Sequence, residues 1–178
     1  ANALFVTLTL CLSSGATVAL SRGFSASRFW KEVAFYKATL FNSLGSMIPI
    51  LMKKPKSSDD ANNTIRLVLS AACPAPMWSA FEKRFHAKIY EFYGSVDGGG
   101  KGLFNFGTAP VGSIGKPSKS TGACYIIDKE GKELPCGQVG ELVFKTTQRK
   151  KGVEYFKNEE ASTKKVKGGL IYTGDLAK

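Results

Sequence analysis

Apolar and polar positions follow two different patterns along the chain, and the change falls close to residue 100. Before it, short apolar runs alternate with segments whose apolar residues recur at helical spacing. The runs predict buried strands at 16–20, 65–69 and 87–94, and residues 1–20 are interpreted as a buried helix leading into the first strand. The helical spacing predicts helices at 26–37, at 46–54 and from Pro76 onward. This alternation predicts an α/β fold with a parallel sheet flanked by helices.

After residue 100 the helical spacing ends and shorter strand patterns take over. The stretch 123–145 gives a strand, a turn at Asp128–Gly131 and a second strand, and 170–172 gives another. These segments predict a small antiparallel, β-barrel-like subdomain. We therefore place the first domain at residues 1–108 and the second at 109–178.

Composition narrows the classes of function. The 178 residues carry 25 basic and 14 acidic side chains, a net charge of +11, but the basic clusters at 53–56, 149–151 and 164–167 lack interleaved aromatic residues. No nucleic-acid partner is therefore expected, although a basic nucleic-acid or membrane binder stays an alternative. The opening apolar stretch has no basic leader and is interrupted by polar residues, so no signal peptide or transmembrane segment is predicted. With four cysteines, no C-x-x-C pair and one histidine, the sequence favours a cytoplasmic protein without zinc.

Five short segments then carry a family resemblance: RLVLSAACPAP, FYGSVDG, GSIGKP, GELVF and YTGD, in that order. Their order and spacing resemble the adenylate-forming superfamily, and within it the fatty-acid or carnitine-type acyl-CoA ligases. The resemblance implies an enzyme that activates a carboxylic acid with ATP and Mg²⁺ as an acyl-adenylate and then transfers the acyl group to CoA. Catalysis would rest on positioning and on charge stabilisation at phosphorus.

The resemblance assigns the Mg²⁺-binding carboxylate to Asp97, where the family usually has Glu. The preceding family residue is usually a Thr that contacts the α-phosphate, and here it is Val96, which has no hydroxyl. Ser95 is the nearest hydroxyl that could substitute. The alternative for Asp97 is an ordinary loop residue beside glycines.

The nucleotide-binding residues follow from the same comparison. Tyr93 resembles the tyrosine that stacks on adenine, with a core tyrosine as the alternative, and Asp175 resembles the carboxylate that accepts the ribose hydroxyls. The remaining residues implied to line the nucleotide are Ala71, Ala72, Cys73, Pro74, Phe92 and Gly94. Cys73 is interpreted as a small apolar filler rather than a nucleophile, and His86 as a surface residue.

The resemblance assigns the acyl group to residues near the predicted helix at 46–54 and to residues after Asp97. They are Asn42, Gly45, Ser46, Met47, Gly98 and Gly99. The family's phosphate loop is expected upstream of Ala1 and its lysine-bearing C-terminal domain downstream of Lys178, so this chain is expected not to complete adenylation alone. Two alternatives stay open: a relative that uses a carrier-protein thiol, and a non-catalytic homologue that binds a nucleotide or acyl ligand.

Overall fold

The computed structural model of the protein describes residues 2–58, 60–146 and 153–178, so the basic cluster at 149–151 lies outside the described residues. The chain divides into two compact units. The first comprises Ala1–Phe92 and Asn105–Gly115, and the second comprises Tyr93–Phe104 and Lys116–Lys178. Our predicted boundary at residues 108 and 109 stays a prediction.

Five α-helices are found in the described residues, and a π-helical turn over Ala3–Thr9 precedes the first. They are α1 (Leu10–Ser14), α2 (Phe29–Tyr36), α3 (Met47–Met52), α4 (Ala75–Phe85) and α5 (Glu159–Lys165). Pro76 stands in the first turn of α4, where a proline is tolerated because the N–H it lacks would have no partner inside the helix.

Nine strands form two sheets in the same residues. They are β1 (Leu40–Leu44), β2 (Leu67–Ala71), β3 (Lys88–Gly94), β4 (Gly102–Asn105), β5 (Lys116–Pro117), β6 (Cys124–Ile127), β7 (Gly140–Lys145), β8 (Val166–Lys167) and β9 (Leu170–Ala177). One sheet has the order β1-β2-β3-β4-β5 and is mixed, because β1 to β3 are parallel while β4 and β5 pair antiparallel. The other, β6-β7-β9-β8, is antiparallel and curls as half of a barrel.

The core of the first unit lies between its helices and the parallel strands. Its largest members are aromatic: Phe81 and Phe85 of α4 are fully buried, and the Trp30 ring of α2 stacks on Phe85 with centroids 4.6 Å apart. Val68 and Ile89 bring β2 and β3 into the same cluster. Truncating a buried phenylalanine of this kind costs about 3–5 kcal/mol, so this core fixes the ends of the strands that carry the candidate site.

One buried amide organises the loop that closes the first unit. Asn105 has no exposed surface, and its Nδ2 donates to the carbonyls of Ala109, Pro110 and Ser113. Its Oδ1 accepts from the backbone N–H groups of Gly107 and Ala109. A single side chain therefore replaces regular secondary structure as the partner of these backbone groups.

The predicted fold class is confirmed, and several local predictions are corrected. Residues 16–20 form no strand and are mostly exposed, since no strand of the described residues pairs with them. The helical residues before them are half-buried or exposed, and none is fully buried as predicted. The strand predicted at 65–69 lies at Leu67–Ala71, and β1 was not predicted because Asn42 and Ser43 interrupt its apolar pattern. Within the described residues, no helix is long and apolar enough to cross a membrane.

Candidate functional site

The turn after β3 has a conformation that explains its glycines. The Gly98 N–H donates to the Ser95 carbonyl at 3.2 Å, and the Lys101 N–H donates to the Gly98 carbonyl at 3.1 Å, so two tight turns follow one another. Gly99 and Gly100, at the centre of the second turn, have φ values of 63° and 73°. Two positive φ angles in a row are the mark of a type I′ hairpin turn, which favours glycine.

Asp97 projects from the first of these turns and has two partners in the second unit. Its carboxylate accepts a hydrogen bond from the Tyr155 hydroxyl and forms an ion pair with Lys165, whose Nζ lies 2.9 Å from Oδ2. The Tyr155 hydroxyl and then the Lys165 ammonium hold the pKa of Asp97 well below its usual range. The buried Ser95 hydroxyl lies near enough to add to this lowering, although its geometry is not that of a hydrogen bond.

Helix α5 and the residues before it position both partners of Asp97. Asn158 caps the helix by accepting from the Ala161 N–H at 3.0 Å. The Ser162 hydroxyl accepts from the Tyr155 N–H at 2.8 Å and donates to the Asn158 carbonyl at 2.7 Å. Lys165 is the last residue of α5, and its side chain is only 10% exposed. Sequence reasoning missed Tyr155 and Lys165; the asparagine followed by two glutamates was the available signal for this helix.

Asp175 lies at an irregularity of β9 that turns its side chain outward. Glu141 pairs with Leu176 and Val143 with Tyr172, so Leu142 of β7 faces three residues of β9. The Thr173 hydroxyl fills the gap by donating to the Leu142 carbonyl at 2.7 Å and accepting from the Asp175 N–H at 3.1 Å. Such bulges redirect side chains, and here the bulge leaves Asp175 exposed.

Tyr93 contacts Asp175 although the two residues are 82 positions apart in sequence. The Tyr93 hydroxyl donates to the Asp175 carboxylate, and its ring lies near the Phe144 ring, with centroids 6.5 Å apart and planes 26° apart. Burial and then the Asp175 hydrogen bond raise the pKa of Tyr93 to about 12, and the charge of Asp97 adds to the rise. Tyr93, Asp97 and Asp175 therefore form one electrostatically connected cluster within the second unit.

The loop between β2 and α4 belongs to the first unit. Ala72 has a φ of 68°, a left-handed conformation that is uncommon for alanine, and Pro74 precedes the first residue of α4. Glu91 of β3 accepts hydrogen bonds from the backbone N–H groups of Ala72 and Cys73. Burial and the charge of Glu91 raise the pKa of the Cys73 thiol to about 12, so this thiol is not a nucleophile at neutral pH.

The residues predicted for the acyl group lie in both units. Asn42 of β1 donates from Nδ2 to the Asn2 Oδ1 at 2.6 Å and to the Thr7 Oγ1 at 2.9 Å. Gly45 follows β1, and a Cβ placed there would lie 3.5 Å from the Cβ of Ala72. Ser46 and Met47 stand at the beginning of α3.

The second unit brings together a large share of the predicted site residues. It holds Tyr93, Gly94, Ser95, Val96, Asp97, Gly98, Gly99 and Asp175. Val96 is 80% exposed and contributes no polar group. The first unit holds Ala71, Ala72, Cys73, Pro74 and Phe92 of the predicted nucleotide residues, and Phe92 is half-buried in β3.

Known structures identify the class of fold. A benzoate CoA ligase from Burkholderia xenovorans shares it with a TM-score of 0.80 and 25% identity, over 97% of this chain and 36% of that one. An anthranilate CoA ligase solved with anthranoyl-AMP shares it with a TM-score of 0.75 and 24% identity, over 91% of this chain and 32% of that one. The mixed sheet and half-barrel are therefore those of adenylate-forming CoA ligases.

Sequence comparison gives the family. The profile described as AMP-binding enzyme matches residues 1–153, so the chain belongs to the AMP-binding enzyme family, as the five segments predicted. A steroid-22-oyl-CoA synthetase of Rhodococcus jostii is 35% identical over 98% of this chain and 33% of its own length. A medium/long-chain-fatty-acid–CoA ligase of Mycobacterium tuberculosis is 33% identical over 99% of this chain and 34% of its own length. The chain thus spans about a third of the length of the curated relatives it matches.

Proposed function

We propose that the protein is the nucleotide-handling part of an ATP-dependent acyl-CoA ligase, which activates a carboxylic acid as an acyl-adenylate and transfers it to CoA. The observation that carries the proposal is the contact between the Tyr93 hydroxyl and the Asp175 carboxylate. It joins the two residues that the resemblance assigns to adenine and ribose. An aromatic ring beside an exposed carboxylate suits a nucleoside, because the ring can stack on the base while the carboxylate accepts from hydroxyl groups.

Mg²⁺ is compatible with the donors present. The described residues contain no group of three or more His, Cys, Asp or Glu side chains that could hold a metal alone. Mg²⁺ does not need one, since it usually binds one or two carboxylates and completes its shell with water and phosphate oxygens. Asp97 would supply that carboxylate, and the ion would neutralise charge on the phosphates. Lys165 already pairs with Oδ2, so a cation at that oxygen would have to displace the ammonium group.

The acid is proposed to be apolar, and the thiol to be CoA. The relatives named above are a steroid-22-oyl-CoA synthetase and a medium/long-chain-fatty-acid–CoA ligase, and both names support an apolar acyl group. Asn42, Gly45, Ser46, Met47, Gly98 and Gly99 are proposed to serve this group. A carrier-protein thiol stays the alternative acceptor, and the cytoplasmic location stays a prediction.

A ribose-selective binding experiment tests the nucleotide site. Calorimetric titration of the purified chain with AMP and with 2′-deoxy-AMP should show tighter binding of AMP, because Asp175 is proposed to accept from the ribose hydroxyls. Asp175→Asn should weaken AMP by about tenfold and reduce the preference over 2′-deoxy-AMP, since hydrogen bonds to a charged group contribute about 1.5–3 kcal/mol. Glu130→Gln, an exposed change in the turn after β6, is the control. Absence of AMP binding to the wild-type chain would refute the proposal.

A nucleotide-binding homologue without catalysis is the second candidate, and the ion pair between Lys165 and Asp97 favours it. The two candidates differ in their response to metal. If Asp97 takes part in binding Mg²⁺, ATP should bind more tightly with Mg²⁺ than with EDTA, and Asp97→Asn should remove the difference. Equal affinities would favour the homologue. In either case we expect no ATP–pyrophosphate exchange by the chain alone, and exchange above background would contradict that expectation.

A further inference from the structure

Three polar side chains lie side by side on neighbouring parallel strands of the first unit and form a row. The row follows directly after the apolar core positions of those strands. In the strand register Ser43 of β1 stands beside Ser70 of β2, and Ser70 stands beside Glu91 of β3. All three are at most 3% exposed. Two positions earlier on the same face, Val68 and Ile89 belong to the apolar core. The row therefore lies at the carboxyl end of the strands, the edge at which open α/β sheets bind their ligands.

Glu91 is the charged member of this row, and its interactions are with backbone amides. Burial raises the pKa of Glu91, while the nearby Ser70 hydroxyl and the Cys73 and Ala72 amides offset part of the rise. In the described residues no Lys, Arg or His forms an ion pair with it. A buried carboxylate without a cation is costly, so its retention calls for a specific use.

The two amides explain what the carboxylate does. The Ala72 N–H donates to Oε1, and the Cys73 N–H is shared between Oε1 and Oε2 at 3.2 Å each. Successive N–H groups that converge on one anion form a backbone nest, and a left-handed residue is part of such a turn. Ala72 is that residue, with a φ of 68° that alanine rarely adopts unless other contacts impose it.

We propose that Glu91 is a positioning residue: it holds Ala72 in the left-handed conformation and thereby sets the loop Ala71–Pro74 for the adenine of the nucleotide. The role in nucleotide binding rests on the proposed function, whereas the effect on the loop backbone stands without it. Glu91 does not contact the nucleotide in this proposal. Its influence passes through the two amides.

The substitution Glu91→Gln separates hydrogen bonding from size. Glutamine keeps one carbonyl oxygen at the Oε1 position, which accepts from the Ala72 amide and shares the Cys73 amide. It places an NH₂ donor at the Oε2 position, 3.2 Å from the Cys73 nitrogen, which is also a donor. We expect the Ala72 and Cys73 amides of Glu91→Gln to exchange at least tenfold faster in deuterium-exchange NMR. AMP should bind about five- to tenfold more weakly to this variant.

A rescue by glycine distinguishes positioning from a general loss of stability. Glycine adopts the left-handed region without a steric penalty, so Ala72→Gly in the Glu91→Gln background should restore AMP affinity to within about twofold of wild type. The matched control is Ala123→Gly in the same background, because Ala123 is exposed, is absent from the described residues with positive φ and is not a predicted site residue. Rescue by neither glycine, or equally by both, would overturn the proposal.

Two further outcomes are decisive. If Glu91→Gln does not fold, the wild-type amides still test the proposal, because exchange of Ala72 and Cys73 as fast as that of exposed loop amides would overturn it. If the wild-type chain does not bind AMP, the proposed function fails. If the Ala72 and Cys73 amides are protected in the wild-type chain and exchange faster in Glu91→Gln, the effect of Glu91 on the loop is still supported. If their exchange rates do not change, that effect is refuted.

Discussion

Lys165 should contribute measurably to the stability of the second unit, whereas its neighbour Lys164 should not. Both lysines lie on α5 and both pair with a carboxylate. Lys165 pairs with Asp97 across the unit and is 10% exposed, whereas Lys164 pairs with Glu160 on the same helix with side chains 69% and 80% exposed. Methionine keeps a flexible apolar side chain of similar length and removes the ammonium group with its charge and its donors, so Lys165→Met and Lys164→Met form a matched pair.

The expected magnitude follows from the distance and the exposure. Unit charges 2.9 Å apart attract by about 6 kcal/mol at an effective dielectric constant of about 20, before desolvation is subtracted. Asp97 is 37% exposed and keeps the Tyr155 hydroxyl as a partner, so much of this attraction is screened or replaced by water. We therefore expect Lys165→Met to cost about 1–2 kcal/mol, and Lys164→Met less than about 0.5 kcal/mol, which is usual for exposed helix pairs.

Urea unfolding followed by far-UV circular dichroism is the appropriate assay. Tryptophan fluorescence is unsuitable, because both tryptophans, Trp30 and Trp78, belong to the first unit. A double-mutant cycle with Asp97→Asn isolates the pair from other effects of each substitution, and its coupling free energy should be about 1 kcal/mol. The reasoning would be refuted by equal losses for the two lysines, or by a coupling free energy near zero.

Three further predictions concern single side chains. Tyr93 should remain protonated up to a pH of about 12, and a raised pKa favours the protonated form in the folded state. Its contribution to folding is therefore complete below pH ~10 and is lost progressively as the pH rises from ~10 to about 12, and Tyr93→Phe should remove that step from an absorbance titration at alkaline pH. Thr173→Val should cost about 1 kcal/mol in urea unfolding, because the Leu142 carbonyl loses its donor, while Thr173→Ser should cost less. Asn105→Ala should cost about 2–4 kcal/mol, since it leaves several buried backbone groups without partners, and unfolding losses below 1 kcal/mol would contradict this.

An element was predictable from the sequence where its local pattern of apolar and polar residues agrees with the burial of those residues in the fold. Helix α4 combines an early proline with a buried aromatic face, and β3 alternates buried and less buried positions, so both were predictable. The motif that contains Asp175 was found through the family resemblance alone, and the outward turn of Asp175 depends on the hydrogen bond from Thr173 to the Leu142 carbonyl, 31 positions away in sequence. For α4 and β3, neighbouring residues alone specify the conformation.

Other features depend on partners that are distant in sequence. The apolar run at 16–20 resembles a strand, but a strand needs a neighbour for its backbone groups, and the described residues provide none. In β1, Asn42 and Ser43 break the apolar pattern, since Ser43 belongs to the buried polar row rather than to the core. Tyr155 reaches Asp97 across 58 residues, and no local pattern announces such a contact.

Two carboxylates six positions apart in the same segment show how the surroundings set the use of an acid. Glu91 is buried against backbone amides, and burial raises its pKa, whereas Asp97 is partly exposed beside a hydroxyl and an ammonium group, which lower its pKa. Glu91 accepts from amides and acts on the backbone, and in the described residues it forms no ion pair. Asp97 already has one, so a metal ion at Oδ2 must compete with Lys165. Removing the charge of Lys165 should therefore weaken the fold while strengthening Mg²⁺-dependent ATP binding, a combination that a purely structural ion pair would not produce.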